Sequence, residues 1–144
     1  CLPGGTSTHF MPASMYHASL DFKSLEDAGY RLGTGAIVVF DQKTCLVGAT
    51  LNMIEFFARE SCGWCTPCRD GLPYIRDLLW RIENGQGESV FVEMLKEMCD
   101  HLAKAYCAFA PGAAAPVESL LQHFADEVNE HIEKKACPFK TSYS

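Results

Sequence analysis

Three cysteines stand close together in residues 61–69, which read SCGWCTPCR. Cys62, Cys65 and Cys68 have the spacing C-x2-C-x2-C and lie beside a predicted helix start. Thiolates spaced in this way on a tight loop can each bind a different iron of one cubane cluster, so that a single further ligand completes the site. The intervening Gly63 and Pro67 are typical of a loop rather than of an apolar helix face. We therefore favour a metal site over core packing for these cysteines.

Zinc is the main alternative metal for such thiols. Structural zinc sites usually contain paired C-x2–4-C units, whereas three cysteines in one run match the cubane pattern better. The spacing favours [4Fe–4S]. A cluster with four thiolate ligands is negatively charged, and the positive end of a helix that starts after Cys68, together with Arg69, lies where it could offset part of that charge.

The fourth ligand has to come from elsewhere in the chain. Cys107 stands in a second break between predicted helices, at residues 103–112. Two antiparallel helices and their turn account for the stretch between Cys68 and Cys107, so the chain can return to the same end of a bundle. Spacing alone leaves two roles open for Cys107, the fourth ligand and a structural residue.

The remaining cysteines and the histidines offer weaker signals. Cys99 lies in the middle of a predicted helix beside its apolar stripe, and we interpret both Cys99 and Cys45 as small buried hydrophobes. The sequence assigns no role to Cys1. The five histidines are scattered, and a solvated or packed role is favoured for them, including His123 and His131.

Composition excludes several classes of function. The 144 residues include 12 basic and 18 acidic side chains, which gives a formal charge of −6 without a Lys/Arg cluster. Nucleic-acid binding is therefore disfavoured. The longest aliphatic and aromatic run, residues 36–40, is far too short to cross a bilayer, so no direct membrane insertion is expected. The eight cysteines are clustered, which indicates metal binding rather than a disulfide framework.

The pattern of apolar residues divides the chain into two parts. Residues 1–43 are irregular, with a short predicted helix that ends at Gly29 and an apolar, β-branched strand at residues 36–40. From residue 44 onward the apolar period is that of a helix. We therefore predict an α+β fold that is mostly α, with a partial α+β module at residues 1–43 and a helical bundle at residues 44–144.

Four amphipathic helices are predicted in the second part. Thr44 is the expected N-cap of the first. The second is expected to begin near Asp70, because Gly71 and Pro73 are best tolerated in a first turn. The third covers about residues 89–103, and the fourth is expected to open at Pro116. Short links between these helices favour a compact four-helix bundle.

Two segments carry a family resemblance. Residues 56–71 (FFARESCGWCTPCRDG) and 106–113 (YCAFAPGA) closely resemble the C-terminal part of the NADH-binding flavoprotein subunit of respiratory complex I, the NADH-quinone oxidoreductase. Residues 2–7 (LPGGTS), 20–22 (LDF) and 33–39 (GTGAIVV) resemble the β-grasp, SLBB-like module of that family. The resemblance extends over nearly the whole chain.

The resemblance implies an electron-relay module. By residue matching, the ligands of its [4Fe–4S] cluster are Cys62, Cys65, Cys68 and Cys107. The cluster would receive single electrons from FMN, reduced by NADH in a domain outside this chain, and pass them towards quinone. The implied partners are a thioredoxin-like [2Fe–2S] subunit and a large iron–sulfur subunit of the same complex. The implied location is the peripheral arm of a membrane-bound complex, in the bacterial cytoplasm or on the mitochondrial matrix side.

Other features restrict this interpretation. No glycine-rich flavin or dinucleotide loop occurs in residues 1–144, so this chain alone is expected neither to bind FMN normally nor to oxidise NADH. It starts at Cys1 without an initiator methionine, and we expect a fragment of a longer polypeptide. Related subunits of NAD-linked hydrogenases and formate dehydrogenases share the cysteine motif, and Cys137-Pro138 resembles the start of an extension found in some of them. A structural or assembly domain with zinc or no metal is the alternative from a different class.

Overall fold

The computed structural model describes residues 1–140 of the chain. A short 3-10 turn at Ala13–Met15 precedes six α-helices. In chain order these are α1 (Phe22–Asp27), α2 (Leu46–Glu60), α3 (Thr66–Glu83), α4 (Val90–Leu102), α5 (Phe109–His123) and α6 (Ala125–Lys134). None of these helices is both long enough and apolar enough to cross a membrane.

Helices α2 and α3 form an antiparallel hairpin. Both are amphipathic, and fully buried apolar side chains such as Ile54, Leu72 and Leu79 lie between them and the rest of the bundle. The short loop at residues 61–65 joins the end of α2 to the start of α3. The hairpin therefore has a loop end, which holds residues 61–68, and an open end, where α2 begins and α3 finishes.

The other helices complete the bundle around this hairpin. Helix α4 packs against α3 and α5, and α5 also packs against α2. The buried side of α5 contains small residues, among them Ala113 and Ala114, which allow neighbouring helices to approach closely. Helix α6 contacts α2, α3 and α5. This arrangement confirms the expected helical bundle.

Several helix boundaries differ from the sequence predictions. The helix expected to start near Asp70 starts at Thr66, and the helix expected to start at Pro116 starts at Phe109. Pro73 and Pro116 lie inside these helices. Each proline removes one backbone hydrogen bond, but the buried apolar side chains around it hold the helix together. The predicted fourth helix is divided at Phe124 into α5 and α6, so residues 44–140 contain five helices rather than four.

The N-terminal segment departs furthest from expectation. The predicted strand at residues 36–40 is wrong, because the structure has no strand within residues 1–140 and only one isolated antiparallel bridge, between Leu2 and Val38. Ile37 and Val39 are 47% and 72% exposed, so their apolar side chains have no second layer to pack against. A β-grasp module is not seen. The short helix is confirmed as α1, where Asp21 Oδ1 accepts a hydrogen bond of 2.8 Å from the Ser24 N–H.

Candidate metal centre

The loop end of the hairpin positions the cysteine triplet. Helix α2 finishes at Glu60, and Gly63 turns the chain with a positive φ of 73°. Cys65 is the N-cap of α3, and its carbonyl accepts hydrogen bonds from the Cys68 N–H (3.1 Å) and the Arg69 N–H (2.8 Å). Cys68 therefore lies in the first turn of α3. Both residues are close to the positive end of the helix dipole, which attracts negatively charged groups.

The three thiols differ in exposure. Cys62 is exposed, Cys65 is half-buried and Cys68 is buried. Ser61 Oγ lies 3.0 Å from Cys68 Sγ and accepts a hydrogen bond of 3.2 Å from the Gly63 N–H. The loop thus offers sulfur atoms at the surface and already supplies one hydrogen-bonding hydroxyl to the buried sulfur.

Cys107 stands just before α5. The Phe109 ring packs edge-to-face against Phe57 in the last turns of α2, with 5.4 Å between the ring centroids. This contact holds the segment that contains Cys107 near the end of α2, from which the cysteine loop departs. Cys107 and its neighbour Tyr106 are both exposed.

The donor set of this region is chemically uniform. Cys62, Cys65, Cys68 and Cys107 are all free thiols in the described chain, and sulfur is the donor that iron–sulfur clusters require. Arg69 contributes less than the sequence indicated, because its guanidinium is paired with Asp70 at 3.2 Å and is half-exposed. The start of α3 remains as a source of positive potential next to Cys65 and Cys68.

Comparison with known proteins identifies the family. The family described as NADH-ubiquinone oxidoreductase-F iron-sulfur binding region matches residues 48–131, which include all four cysteines. This chain belongs to that family.

Relatives from NADH-quinone oxidoreductases match almost the whole chain. The F-subunit (form 2) of this enzyme in Rhizobium meliloti (strain 1021) is 42% identical over 96% of the chain, and the F-subunit in Escherichia coli (strain K12) is 40% identical over 98% of it. These matches cover only 33% and 32% of the relatives. The chain therefore spans about a third of the length of these curated proteins.

A solved structure shares the fold of the bundle. The crystal structure of an NAD+-reducing [NiFe]-hydrogenase in the H2-reduced state aligns with 94% of the chain and 22% of its own chain, with a TM-score of 0.77 and 28% identity. The similarity to the F-subunits and to this hydrogenase agrees with the resemblance inferred from the cysteine segments. The description of the matching family assigns iron–sulfur binding to the region that corresponds to residues 48–131.

The open end of the hairpin contains a second group of ligand-type side chains, which the sequence pattern did not bring together. It consists of Cys45, Glu83, His131 and Cys137. Cys45 is not simply a buried hydrophobe, because it is the N-cap of α2 and its Sγ accepts a hydrogen bond from the Gly48 N–H at 3.2 Å. His131 is packed, as expected, and is fully buried.

Cys99, by contrast with Cys45, is a core residue, and burial raises the pKa of its thiol to about 12.

At the open end, burial and neighbouring hydrogen-bonded or charged groups both shift the pKa values of the ligand-type side chains. Burial is the main cause of the raised pKa of the Cys45 thiol. Burial alone would also raise the pKa of Glu83, but hydrogen bonds from His131, Cys137 and Cys45 and the charge of Lys140 together outweigh it and lower that pKa to about 2. The pKa of His131 is raised because its contacts with Glu83 and the Glu127 carbonyl outweigh burial.

Proposed function

We propose that Cys62, Cys65, Cys68 and Cys107 hold a [4Fe–4S] cluster that serves as an electron relay. The observation that carries this proposal is the packing of Phe109 on Phe57, which draws the Cys107 segment towards the cysteine loop. The four residues all lie within the part of the chain that matches the iron–sulfur binding family. When bound, such a cluster accepts and donates one electron at a time.

The residues around the thiols have separate tasks. The first turn of α3 places Cys65 and Cys68 at the positive end of the helix dipole, where the negative charge of a bound cluster would be stabilised. The Ser61 hydroxyl, 3.0 Å from Cys68 Sγ, is positioned to donate a hydrogen bond to that sulfur, which would raise the reduction potential of the site. Exposure of Cys62 and Cys107 lets a redox partner approach closely.

The electron donor and acceptor of this relay lie outside the chain. We propose FMN, reduced by NADH in another part of the full-length protein, as the donor. A thioredoxin-like [2Fe–2S] subunit and the large iron–sulfur subunit are the proposed partners on the route to quinone, in the peripheral arm of a membrane-bound complex. Support comes from the relatives that are named as F-subunits of NADH-quinone oxidoreductase. Residues 1–144 alone are expected to lack NADH dehydrogenase activity.

The division of the chain is also part of this proposal. Residues 1–43 would be the last part of a β-grasp, SLBB-like module, and residues 44–144 the cluster-binding helical domain. The pair of hydrogen bonds between Leu2 and Val38, at 2.8 and 3.0 Å, supports an extended pairing that further strands would complete.

The test is anaerobic reconstitution of the chain with iron and sulfide. We expect broad sulfur-to-iron absorption that dithionite bleaches, an EPR signal in the reduced protein, and loss of both in Cys107→Ser. Stoichiometric zinc without iron after anaerobic purification would instead support a structural or assembly domain. Unchanged iron content in Cys107→Ser would refute the proposed ligand set.

An equivalent module of an NAD-linked hydrogenase is the second candidate. It is favoured by the 0.77 TM-score to the NAD+-reducing [NiFe]-hydrogenase. The two candidates share the local chemistry and differ in the acceptor. Reduced protein should therefore be mixed with each class of partner, and the faster electron transfer identifies the correct one.

A further inference from the structure

Four segments that are distant in sequence converge at the open end of the hairpin. Cys45 caps α2, Glu83 is the last residue of α3, His131 lies in α6 and Cys137 follows α6. One potential ligand atom from each lies within 4.8 Å of all the others. Exposure is low, at 6% for Glu83, 0% for His131 and 7% for Cys137.

The closest contacts in this group have the spacing of ligands around a tetrahedral ion. Cys45 Sγ lies 3.2 Å from Glu83 Oε2 and 3.3 Å from His131 Nε2, and these last two atoms are 3.2 Å apart. Zinc bonds of about 2.3 Å to sulfur and about 2.0–2.1 Å to nitrogen and oxygen separate tetrahedral ligand atoms by roughly 3.3–3.8 Å. These three ligand atoms would therefore need only small adjustments to admit the ion, and the Cys137 ligand atom lies within 4.8 Å of each of them.

The histidine is oriented as metal-bound histidines usually are. His131 Nδ1 lies 2.8 Å from the Glu127 carbonyl oxygen, to which it can only donate. This hydrogen bond directs Nε2 towards Cys45 and Glu83, the arrangement that fixes the ring of a ligand histidine. Phe139 stacks on the other side, with 6.3 Å between the ring centroids, and restricts access of water to the ring.

The backbone around Cys45 is equally suited to a thiolate ligand. Its Sγ accepts the Gly48 N–H at the positive end of α2. A Cβ at position 48 would lie 3.4 Å from Glu83 Oε1 and 3.5 Å from Cys45 Sγ, so the first turn of α2 packs directly against both ligands. The same helix start is held against α6, because Glu127 Oε1 accepts the Leu46 N–H at 2.6 Å.

Charge balance explains why a cation belongs here. Two thiolates, a carboxylate and a neutral imidazole carry a charge of about −3, and a divalent ion would reduce it to about −1. Lys140 Nζ lies 3.3 Å from Glu83 Oε1 and offsets part of the remainder. Without an ion, hydrogen bonds from His131, Cys137 and Cys45 stabilise the Glu83 carboxylate, and a bound metal would replace these contacts.

We propose that Cys45, Glu83, His131 and Cys137 bind a zinc ion that connects the start of α2, the end of α3 and the segment after α6. Mixed sulfur, nitrogen and carboxylate donors match a borderline divalent metal better than an iron–sulfur cluster or a hard cation. The thiol protons and any proton on His131 Nε2 leave to solvent as the metal binds. This site is independent of the proposed cluster and of its electron transfer.

The test begins with a variant of the full chain in which Cys62, Cys65, Cys68 and Cys107 are all serine, so that only the second site can retain metal. After expression with added zinc and desalting, elemental analysis should give one zinc per chain. Zinc X-ray absorption should show two sulfur and two nitrogen or oxygen ligands, at about 2.3 Å and about 2.0–2.1 Å. Cobalt substitution should give the absorption bands of a tetrahedral site with thiolate ligands.

Further substitutions in that background assign the ligands. Cys45→Ala and Cys137→Ala should each lower zinc content at least tenfold, whereas Cys99→Ala, which removes a buried thiol from the core, should retain it. If an alanine variant does not fold, Glu83→Gln, which preserves the shape of the side chain, should still weaken zinc retention against a chelator at least tenfold. Absence of zinc in the four-serine variant, four-sulfur coordination, or unchanged zinc in Cys45→Ala would overturn the proposal.

Discussion

Each end of the α2–α3 hairpin has a cysteine at the N-cap position of a helix, in opposite surroundings. At the loop end, Cys65 occupies the N-cap of α3 without a capping hydrogen bond from its side chain, beside the exposed Cys62. At the open end, Cys45 caps α2 beside the buried Glu83 and His131. In both places a sulfur atom lies at the positive end of a helix, but only at the open end is it combined with nitrogen and oxygen donors.

This difference matches two kinds of metal chemistry. Sulfur donors near the surface suit a cluster that exchanges electrons with a partner. Buried mixed donors suit zinc, which has no redox chemistry under these conditions and stabilises a fold by connecting segments. The comparison indicates that cysteine count alone does not define a site. Exposure and the neighbouring donor types decide which metal each end favours.

The largest expected effect is complete loss of the cluster at the loop end without loss of zinc at the open end. Cys62→Ser should abolish the absorption and EPR signals of the reconstituted cluster, because the incomplete ligand set cannot retain it. Zinc at the open end should be unchanged. Iron and zinc analysis of the same sample measures both, and Cys1→Ser is the control for loss of an unrelated thiol. Loss of both metals would show that the ends are not independent.

A core substitution should affect both ends together. Leu72 is fully buried in α3, and Leu72→Ala should lower the free energy of unfolding by about 2–5 kcal/mol through lost burial and the resulting cavity. Both metals should then be lost at lower denaturant concentration. Denaturation followed by circular dichroism and by metal release provides the measurement. A loss of stability below about 1 kcal/mol would contradict the packing of the hairpin.

A contact near Cys107 should weaken the loop end alone. Phe109→Ala removes the edge-to-face contact with Phe57 and should cost roughly 1–3 kcal/mol. The segment that contains Cys107 would be less well positioned, so the cluster should bleach faster in air. Zinc retention against a chelator should match that of the unsubstituted chain. Bleaching at an unchanged rate would argue against a role for this contact.

The smallest effect is expected on the outside of the hairpin. Asp77 and Arg81 form a half-exposed pair of 2.8 Å between the two ends. Asp77→Asn should change the free energy of unfolding by no more than about 0.5 kcal/mol, with both metals retained. Thermal unfolding checks this value, and a shift of several kcal/mol would mean that the hairpin surface is more constrained than its exposure indicates.

The sequence indicates a site at the loop end and none at the open end, for a physical reason. Cys62, Cys65 and Cys68 are neighbours in the chain, so their pattern is visible without the fold. The residues of the open end come from helix termini that only tertiary packing brings together. His131 therefore appeared as one histidine among several, and Cys45 as a core residue.

The same reasoning explains the outcome for the fold. Helical periodicity predicted the bundle, because the apolar stripes are long and regular. The starts of α3 and α5 were predicted too late, because Pro73 and Pro116 were placed in first turns. Both prolines lie inside these helices, where tertiary packing outweighs the local cost of proline. The predicted strand at residues 36–40 failed because β pairing needs partner strands, and only Leu2 pairs with it in the described chain. The assignment of Cys107 as the fourth ligand rested on the family resemblance, because spacing alone left its role open.

The length of α2 limits the electrostatic interaction between the two proposed metal sites. Its 15 residues separate the ends of the hairpin by about 22 Å along the helix axis. At physiological ionic strength the screening length in water is about 8 Å, so interactions through the surrounding solvent fade well within that distance. An electron added at the loop end would then change the potential at the open end very little, and the proposed zinc site could retain its ion through every redox cycle.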